Sequence, residues 1–368
     1  MLDVKITSRT RLGFIGLGYL GSRIAGRLAA AGFPLMIWDR DSRKAALVSG
    51  PGVAIAAMPA DLVRNVDVVL SCLADDGAVE DVYFGAGKVL GTDGGYRTIV
   101  ELSTISPGTA GRLHAAGERL GVSVLDVAIS GSTPAAESGT LTLFGGGERA
   151  VFEAAEPIFR AIAAQWFYMG PSGSGVAMKL VVNTLLGLGM QAIAESLALG
   201  SRLGLPRDLL FDTLGKTAAV APAHAGKLPS AKRSEYAPQF PVRLMRKDFA
   251  LILNEAARLG LWMPATQSAA AINAAEAASG REEDFSAVIR RMEQEAAMDW
   301  SASAAERETR VVKDDGRNSI LRSYSFQKER GNHEITKTWT NRFEHHANWD
   351  WSVGNWRRTM GVRLGTPG

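Results

Sequence analysis

Residues 11–39 read RLGFIGLGYLGSRIAGRLAAAGFPLMIWD, and their order decides the fold. Leu12, Phe14 and Ile15 form a short buried strand. Gly16, Gly18 and Gly21 follow in the pattern G-x-G-x-x-G, with Leu17, Tyr19 and Leu20 between them. A helix is predicted next, with Ile24, Leu28 and Ala31 on one face and Gly32 as its C-terminal stop. Pro34 to Trp38 reads as a second strand, ended by Asp39 and then Arg40.

Each part suits dinucleotide binding. Gly16 permits a tight turn, Gly18 lets a pyrophosphate approach the backbone, and Gly21 allows close helix packing. The helix N-terminus offers free N–H groups and a partial positive charge to phosphates. Asp39 stands where an acid can accept the hydroxyls of the adenosine ribose. A lone glycine motif is weak, but here it lies between a strand and a helix with the acid in place. Asp39 favours NAD(H), because a carboxylate repels a 2′-phosphate. Arg40, Arg43 and Lys44 leave NADP(H) possible.

Working outward, the first half alternates strands and helices. Val66–Leu73, Arg97–Leu102, Val122–Val127, Leu141–Phe144 and Trp166–Met169 read as strands. Helices are predicted over Ser106–Leu120, with Ser106 as cap and Pro107 in the first turn, and over Glu148–Phe159. This alternation predicts an α/β class: an N-terminal Rossmann domain with a mostly parallel sheet, residues 1–172. After Gly173 the pattern becomes helical. A long apolar connecting helix, Ser174–Arg202, opens an all-helical domain, residues 173–298. Its surface must be covered within that domain or at a subunit interface. Residues 299–368 depart from both patterns and read as an atypical tail, disordered or loosely docked.

Composition narrows the classes. The chain has 368 residues and a net charge of +3. Residues 299–368 carry 12 Lys/Arg and 9 Asp/Glu, which leaves 29 of each in residues 1–298. The body is balanced, so no basic face for nucleic acid is expected. Leu2–Arg11 is mixed polar and charged, unlike a secretory leader. The apolar stretch Leu180–Ile193 holds Asn183, Thr184 and Gln191, and no membrane span is expected. Cys72 is the single cysteine, which fits a reducing, cytoplasmic setting. His345-His346 lacks metal-ligand spacing, and no metal is assigned.

Three further segments can carry chemistry. Glu101-Leu102-Ser103-Thr104-Ile105-Ser106-Pro107 ends a strand, where open α/β sheets place ligands. Asp126 to Ser132 runs from a strand into a Ser130-Gly131-Ser132 turn whose backbone N–H groups and Ser130 hydroxyl can bind a carboxylate, though by itself it is only a turn. In Gly173 to Asn183, Lys179 and Asn183 lie four apart on one helix face among apolar neighbours. Desolvation there lowers a lysine pKa towards neutrality, which suits a proton donor and acceptor; a snorkelling edge lysine is the bland alternative.

Together GLGYLG, ELSTISP, DVAISGS followed by SGTLTLFGGG, GSGVAMKLVVN and the Lys247-Asp248 pair resemble the β-hydroxyacid dehydrogenase family, over about residues 11–298. The resemblance implies a hydride-transferring oxidoreductase acting on a small 3-hydroxy acid, semialdehyde or 2-oxo acid, and the apolar first helix of the helical domain suggests a homodimer or homotetramer. It implies Lys179 as catalytic acid/base assisted by Asn183, and Ser130, Gly131 and Ser132 at the substrate carboxylate. Thr104, Lys247 and Leu73 would contact the cofactor beside the glycine loop. Ala74, Ala128 and Ser132 stand where the family usually has proline, proline and glycine. Related rivals are an imine reductase, disfavoured by Lys179, and a 6-phosphogluconate dehydrogenase, which would carry histidine in place of Val182. A non-catalytic dinucleotide-binding sensor or scaffold is the alternative from another class.

Overall fold

A computed structural model describes residues 6–297, apart from 49 and 87. The expectation for residues 299–368 lies outside the described residues. The strands are β1 (Leu12–Ile15), β2 (Leu35–Trp38), β3 (Val53–Ile55), β4 (Val68–Ser71), β5 (Thr98–Glu101), β6 (Ser123–Ser130), β7 (Leu141–Gly146) and β8 (Ala163–Gly170). They form one sheet in the order β3-β2-β1-β4-β5-β6-β7-β8. All neighbours run parallel except β6 and β7. The order reverses between β1 and β4, which opens a crevice at the C-terminal strand ends.

Helices α1 (Gly21–Ala30), α2 (Pro59–Arg64), α3 (Asp76–Phe84), α4 (Pro107–Arg119), α5 (Thr133–Ser138), α6 (Arg149–Ala154) and α7 (Glu156–Ile162) accompany the sheet. Period-two alternation sends side chains to both of its faces. Leu12, Phe14, Leu70 and Val127 join Ile24 and Leu28 of α1 in one buried cluster. Ile15, Val69, Ile99 and Ala128 join Tyr83 and Leu113 in another on the opposite face. Ala31 is exposed at the end of α1 rather than on its buried face. One helix is predicted over 148–159, but there are two, α6 and α7, because Pro157 lacks the N–H that would continue the first. β3 and the short helices α2, α3 and α5 have no counterpart among the predicted elements.

The second region is built on α8 (Ser174–Arg202), with α9 (Arg207–Leu214), α10 (Pro222–Ala225), α11 (Leu228–Lys232), α12 (Val242–Arg258), α13 (Pro264–Ala277) and α14 (Val288–Ala297). Leu180, Met190, Ile193, Phe249, Ile252 and Phe285 form its core. The apolar stretch at 180–193 is part of a 29-residue helix, long and apolar enough to cross a membrane by length and composition. Within the fold it instead packs on β6, β7, α12 and α14. Two close contacts position it. A β-carbon on Gly175 would lie 2.3 Å from the Asp126 carbonyl oxygen, and one on Gly187 would lie 2.3 Å from the Phe249 ring.

Candidate active site

A cleft of about 1610 Å³ follows the C-terminal ends of β1, β2, β4, β5 and β6, and continues to α8, α10 and α12. At one end is the glycine turn. Gly16 has φ of +94°, and a β-carbon there would lie 2.4 Å from the Cys72 carbonyl oxygen. A β-carbon on Gly21 would lie 1.9 Å from the Gly16 oxygen, so the turn itself demands both glycines. Gly18 differs. A β-carbon there meets nothing within 4 Å, and the open space is what a pyrophosphate over a bare backbone needs. No acidic side chain occupies the first turn of α1 and no side chain caps it, so its N-terminus suits an anion. The turn therefore fits a dinucleotide.

Asp39 is already engaged. One carboxylate oxygen accepts the Leu17 N–H at 2.7 Å; the other accepts the Asp41 N–H at 2.8 Å and lies 3.4 Å from Lys44 Nζ. The acid braces the glycine turn as well as facing the cleft. Leu17 is set apart from its neighbours: its side chain is fully buried and its N–H is spent on Asp39. Gly16, Gly18, Tyr19, Leu20, Gly21, Asp39 and Arg40 line the cleft. Arg43 is bound to Asp41 at 2.8 Å, whereas Arg40 is exposed.

At the other end stands Lys179, on the second turn of α8 and only 8% exposed. Among the described residues no hydrogen bond or ion pair holds its ammonium group. Burial pushes its pKa down to about 8; Asp248 opposes the fall and Lys247 adds to it. Asn183, one turn on, is fully buried and does not line the cleft. Its Nδ2 donates to Asp248 Oδ2 at 2.5 Å, which fixes the amide, while Oδ1 has no partner. Lys247 Nζ donates to the Thr104 carbonyl oxygen at 2.6 Å and lies 3.0 Å from Asp248 Oδ1. That last contact is an ion pair without hydrogen-bond alignment, since Oδ1 has no hydrogen-bond partner.

Between the two ends lie Leu73, Thr104, Ser130, Gly131 and Ser132, all on the cleft wall. β6 is longer than predicted and ends at Ser130, so the serine is held by pairing with Thr142 of β7. Gly131 has φ of +135°, and a β-carbon there would lie 2.7 Å from Leu141 Cδ2. Ser132 precedes α5 but makes no capping bond. Cys72 also lines the wall; burial pushes its thiol up to about 12 and Glu101 adds to the rise, so it acts as an apolar group.

Three acids were not singled out in the sequence for what they do. Asp126 accepts the N–H groups of Gly173 at 2.8 Å and Val176 at 3.0 Å, seating the start of α8 on β6. Burial raises its pKa and those backbone bonds oppose the rise. Asp248 orients Asn183, and Glu101 ties β4 to β5. The one available signal was an acid set in an apolar strand or beside a site lysine. His224 and Lys227 add to the helical side of the cleft. Lys227 is spoken for by Asp284 at 2.7 Å, and the His224 ring meets the Leu186 carbonyl at 2.9 Å. No cluster of potential metal ligands occurs among the described residues.

The chain is similar to known proteins along most of its described length. Residues 11–170 match the family described as the NAD binding domain of 6-phosphogluconate dehydrogenase. Residues 173–292 match that described as NAD-binding of NADP-dependent 3-hydroxyisobutyrate dehydrogenase. Glyoxylate/succinic semialdehyde reductase 1 of Arabidopsis thaliana is 32% identical over 279 residues, covering 76% of this chain and 96% of that protein. 2-(Hydroxymethyl)glutarate dehydrogenase of Eubacterium barkeri is 32% identical over 286 residues, 77% of this chain and 95% of that protein. The solved 3-hydroxyisobutyrate dehydrogenase of Mycobacterium tuberculosis, with L-serine, superposes with a TM-score of 0.68 at 30% identity, covering 77% of this chain and 99% of that one. A sheet reversed at β1/β4, a glycine turn open at Gly18, and relatives matched over nearly their whole length lead to one assignment: the chain belongs to the β-hydroxyacid dehydrogenase family and is an NAD(P)-dependent oxidoreductase.

Proposed function

We propose that the enzyme interconverts a small 3-hydroxy acid and its semialdehyde, or reduces a small 2-oxo acid, with Lys179 as general acid and base. The observation that carries this reading is a nearly buried lysine, without a partner among the described residues, on the wall of the dinucleotide cleft, with a pKa of about 8. The nicotinamide, when bound, supplies or accepts the hydride. In oxidation, neutral Lys179 Nζ takes the substrate hydroxyl proton. In reduction, its ammonium polarises the carbonyl and returns that proton. Asn183, held through Nδ2 by Asp248, has an Oδ1 without a partner among the described residues, which can accept a hydrogen bond from the ammonium one turn away and keep it in register. The Ser130-Gly131-Ser132 turn anchors the carboxylate, which decides which carbon is presented for reaction.

The relatives' names support the substrate class, since glyoxylate, succinic semialdehyde, 2-(hydroxymethyl)glutarate and 3-hydroxyisobutyrate all pair a carboxylate with a carbonyl or hydroxyl. NAD(H) is the proposed cofactor, on the Asp39 carboxylate. Lys44 partly offsets that charge and exposed Arg40 gives NADP(H) a foothold. Thr104, Leu73 and Lys247 would hold the cofactor's second half. A homo-oligomer in the cytoplasm completes the proposal: Val181, Leu185 and Leu199 form an exposed apolar stripe on α8, and Cys72 is the single cysteine.

The test is a screen of small hydroxy acids, semialdehydes and 2-oxo acids with NAD(H) and NADP(H), followed by absorbance. Turnover of at least one such acid is expected, with higher kcat/KM for NAD(H). Cofactor binding with no turnover of any acid sinks the reading and favours a sensor.

A further inference from the structure

Glu101 closes β5 and is fully buried, yet no ion pair neutralises it among the described residues. Its Oε1 accepts the Ser103 N–H at 2.8 Å, and its Oε2 accepts the Ser71 hydroxyl. Ser71 stands directly opposite in the β4–β5 register, so both side chains emerge on one face of the sheet. The Ser71 hydroxyl also meets the Tyr83 hydroxyl at 2.6 Å. The Ser103 hydroxyl in turn accepts the Leu73 N–H at 2.6 Å. One carboxylate thus fastens the ends of two strands to each other.

Those ends are cleft wall. Leu73, Ser103 and Thr104 line the cavity, while Glu101 lies behind them. A dinucleotide crosses the sheet at the β1/β4 reversal. With its adenosine half towards β2 and Asp39, its nicotinamide half would face the ends of β4 and β5, on the side of Lys179. A leucine would fill the volume of Glu101 without the cost of burying a carboxylate, but would leave the Ser103 N–H unbonded. Burial pushes the Glu101 carboxyl up to about 7, against the bonds from Ser103, Ser71 and Tyr83. An acid held at that cost is there for the geometry it imposes.

We propose that Glu101 is a positioning residue for the nicotinamide half of the cofactor: it fixes the Leu73 and Ser103–Thr104 wall without touching the cofactor. The wall continues to the proton-handling lysine, because the Thr104 carbonyl accepts Lys247, whose neighbour Asp248 holds Asn183.

The experiment compares two ligands that differ only in the nicotinamide. NADH is titrated by its fluorescence and ADP-ribose by calorimetry, with NADPH and 2′-phospho-ADP-ribose as a second pair. In Glu101→Leu, the Kd for NADH rises by about tenfold while that for ADP-ribose stays within about twofold. Glu101→Gln, which keeps an acceptor for Ser103, recovers most of the loss. Should Glu101→Leu fail to fold, Ser71→Ala, at a residue off the cleft wall, removes the donor to Glu101 Oε2 and is read in the same way, with a loss of about fivefold. Equal weakening of both ligands, or weakening of neither, overturns the proposal. This readout is independent of substrate, so it stands or falls apart from the assignment of Lys179.

Discussion

The proposed proton chemistry rests on one ammonium group, that of Lys179. Replacing it by alanine is expected to leave NADH binding within about twofold and to reduce turnover by about 10²–10⁴-fold. Stopped-flow binding beside steady-state rates separates the two effects, and equal turnover in the mutant refutes the assignment. Arginine does not rescue it, because a guanidinium does not give up its proton near neutral pH. The pKa of about 8 sets the pH profile. Oxidation needs the neutral amine, so its rate climbs through about pH 8. Reduction needs the ammonium, so its rate falls above about pH 8. Glu101 gives a stability signature of the opposite sense to most carboxylates. Its native pKa is raised from 4.5 to about 7, so the native state holds the proton more tightly than the unfolded chain. Stability therefore falls by about 1–3 kcal/mol as pH rises from about 4.5 to about 7. Denaturation curves should lose most of that slope in Glu101→Gln. The lysine was legible from its four-residue spacing to Asn183 and its apolar neighbours. Glu101 was not, because beyond the nearby Ser103 N–H its partner Ser71 is 30 residues away, and only strand pairing brings Ser71 opposite it.

At the scale of elements, α8 carries the lysine and its placement depends on how closely its first turn meets the sheet. Asp126 bonds two of its N–H groups, and Gly175 sits against the carbonyl oxygens of Asp126 and Phe144 at distances that leave no room for a methyl. Backbone in a paired strand cannot yield. Gly175→Ala is expected to cost about 1–3 kcal/mol of stability and to lower kcat/KM by displacing Lys179. Urea denaturation and steady-state kinetics check both parts; an alanine variant of unchanged stability removes this account of the packing. The limits of α8, Ser174 and Arg202, were readable because the glycine pair and the Gly204-Leu205-Pro206 break bracket one unbroken apolar run. The broken helix at Pro157 and the short α5 were not, since a few residues without strong periodicity follow tertiary contacts.

At the scale of the whole molecule, three apolar clusters divide the described residues: one on each face of the sheet and one within the helices. The cleft runs between the sheet's C-terminal edge and the helical cluster, so cofactor and lysine meet only once both are folded. Outside the cores, Val181 is 57% exposed and Leu199 62% exposed on one helix with little charge. Such a face is expected to be covered by a second copy. Sedimentation velocity should show a dimer or larger, and Val181→Arg with Leu199→Arg should shift it towards the monomer; a monomeric wild type discards this part of the proposal. What the sequence by itself determined is local: the strand–turn–helix at Gly16 to Gly21, the switch from alternating to helical pattern at Gly173, and the helix that bears Lys179. These follow from periodicity and glycine placement over neighbouring residues. Tertiary structure alone decided that Asp39 braces the turn through Leu17, that Asp248 orients Asn183, and that Glu101 joins two strand ends. Each is a bond between distant segments, whose energy depends on burial and alignment that no local pattern records.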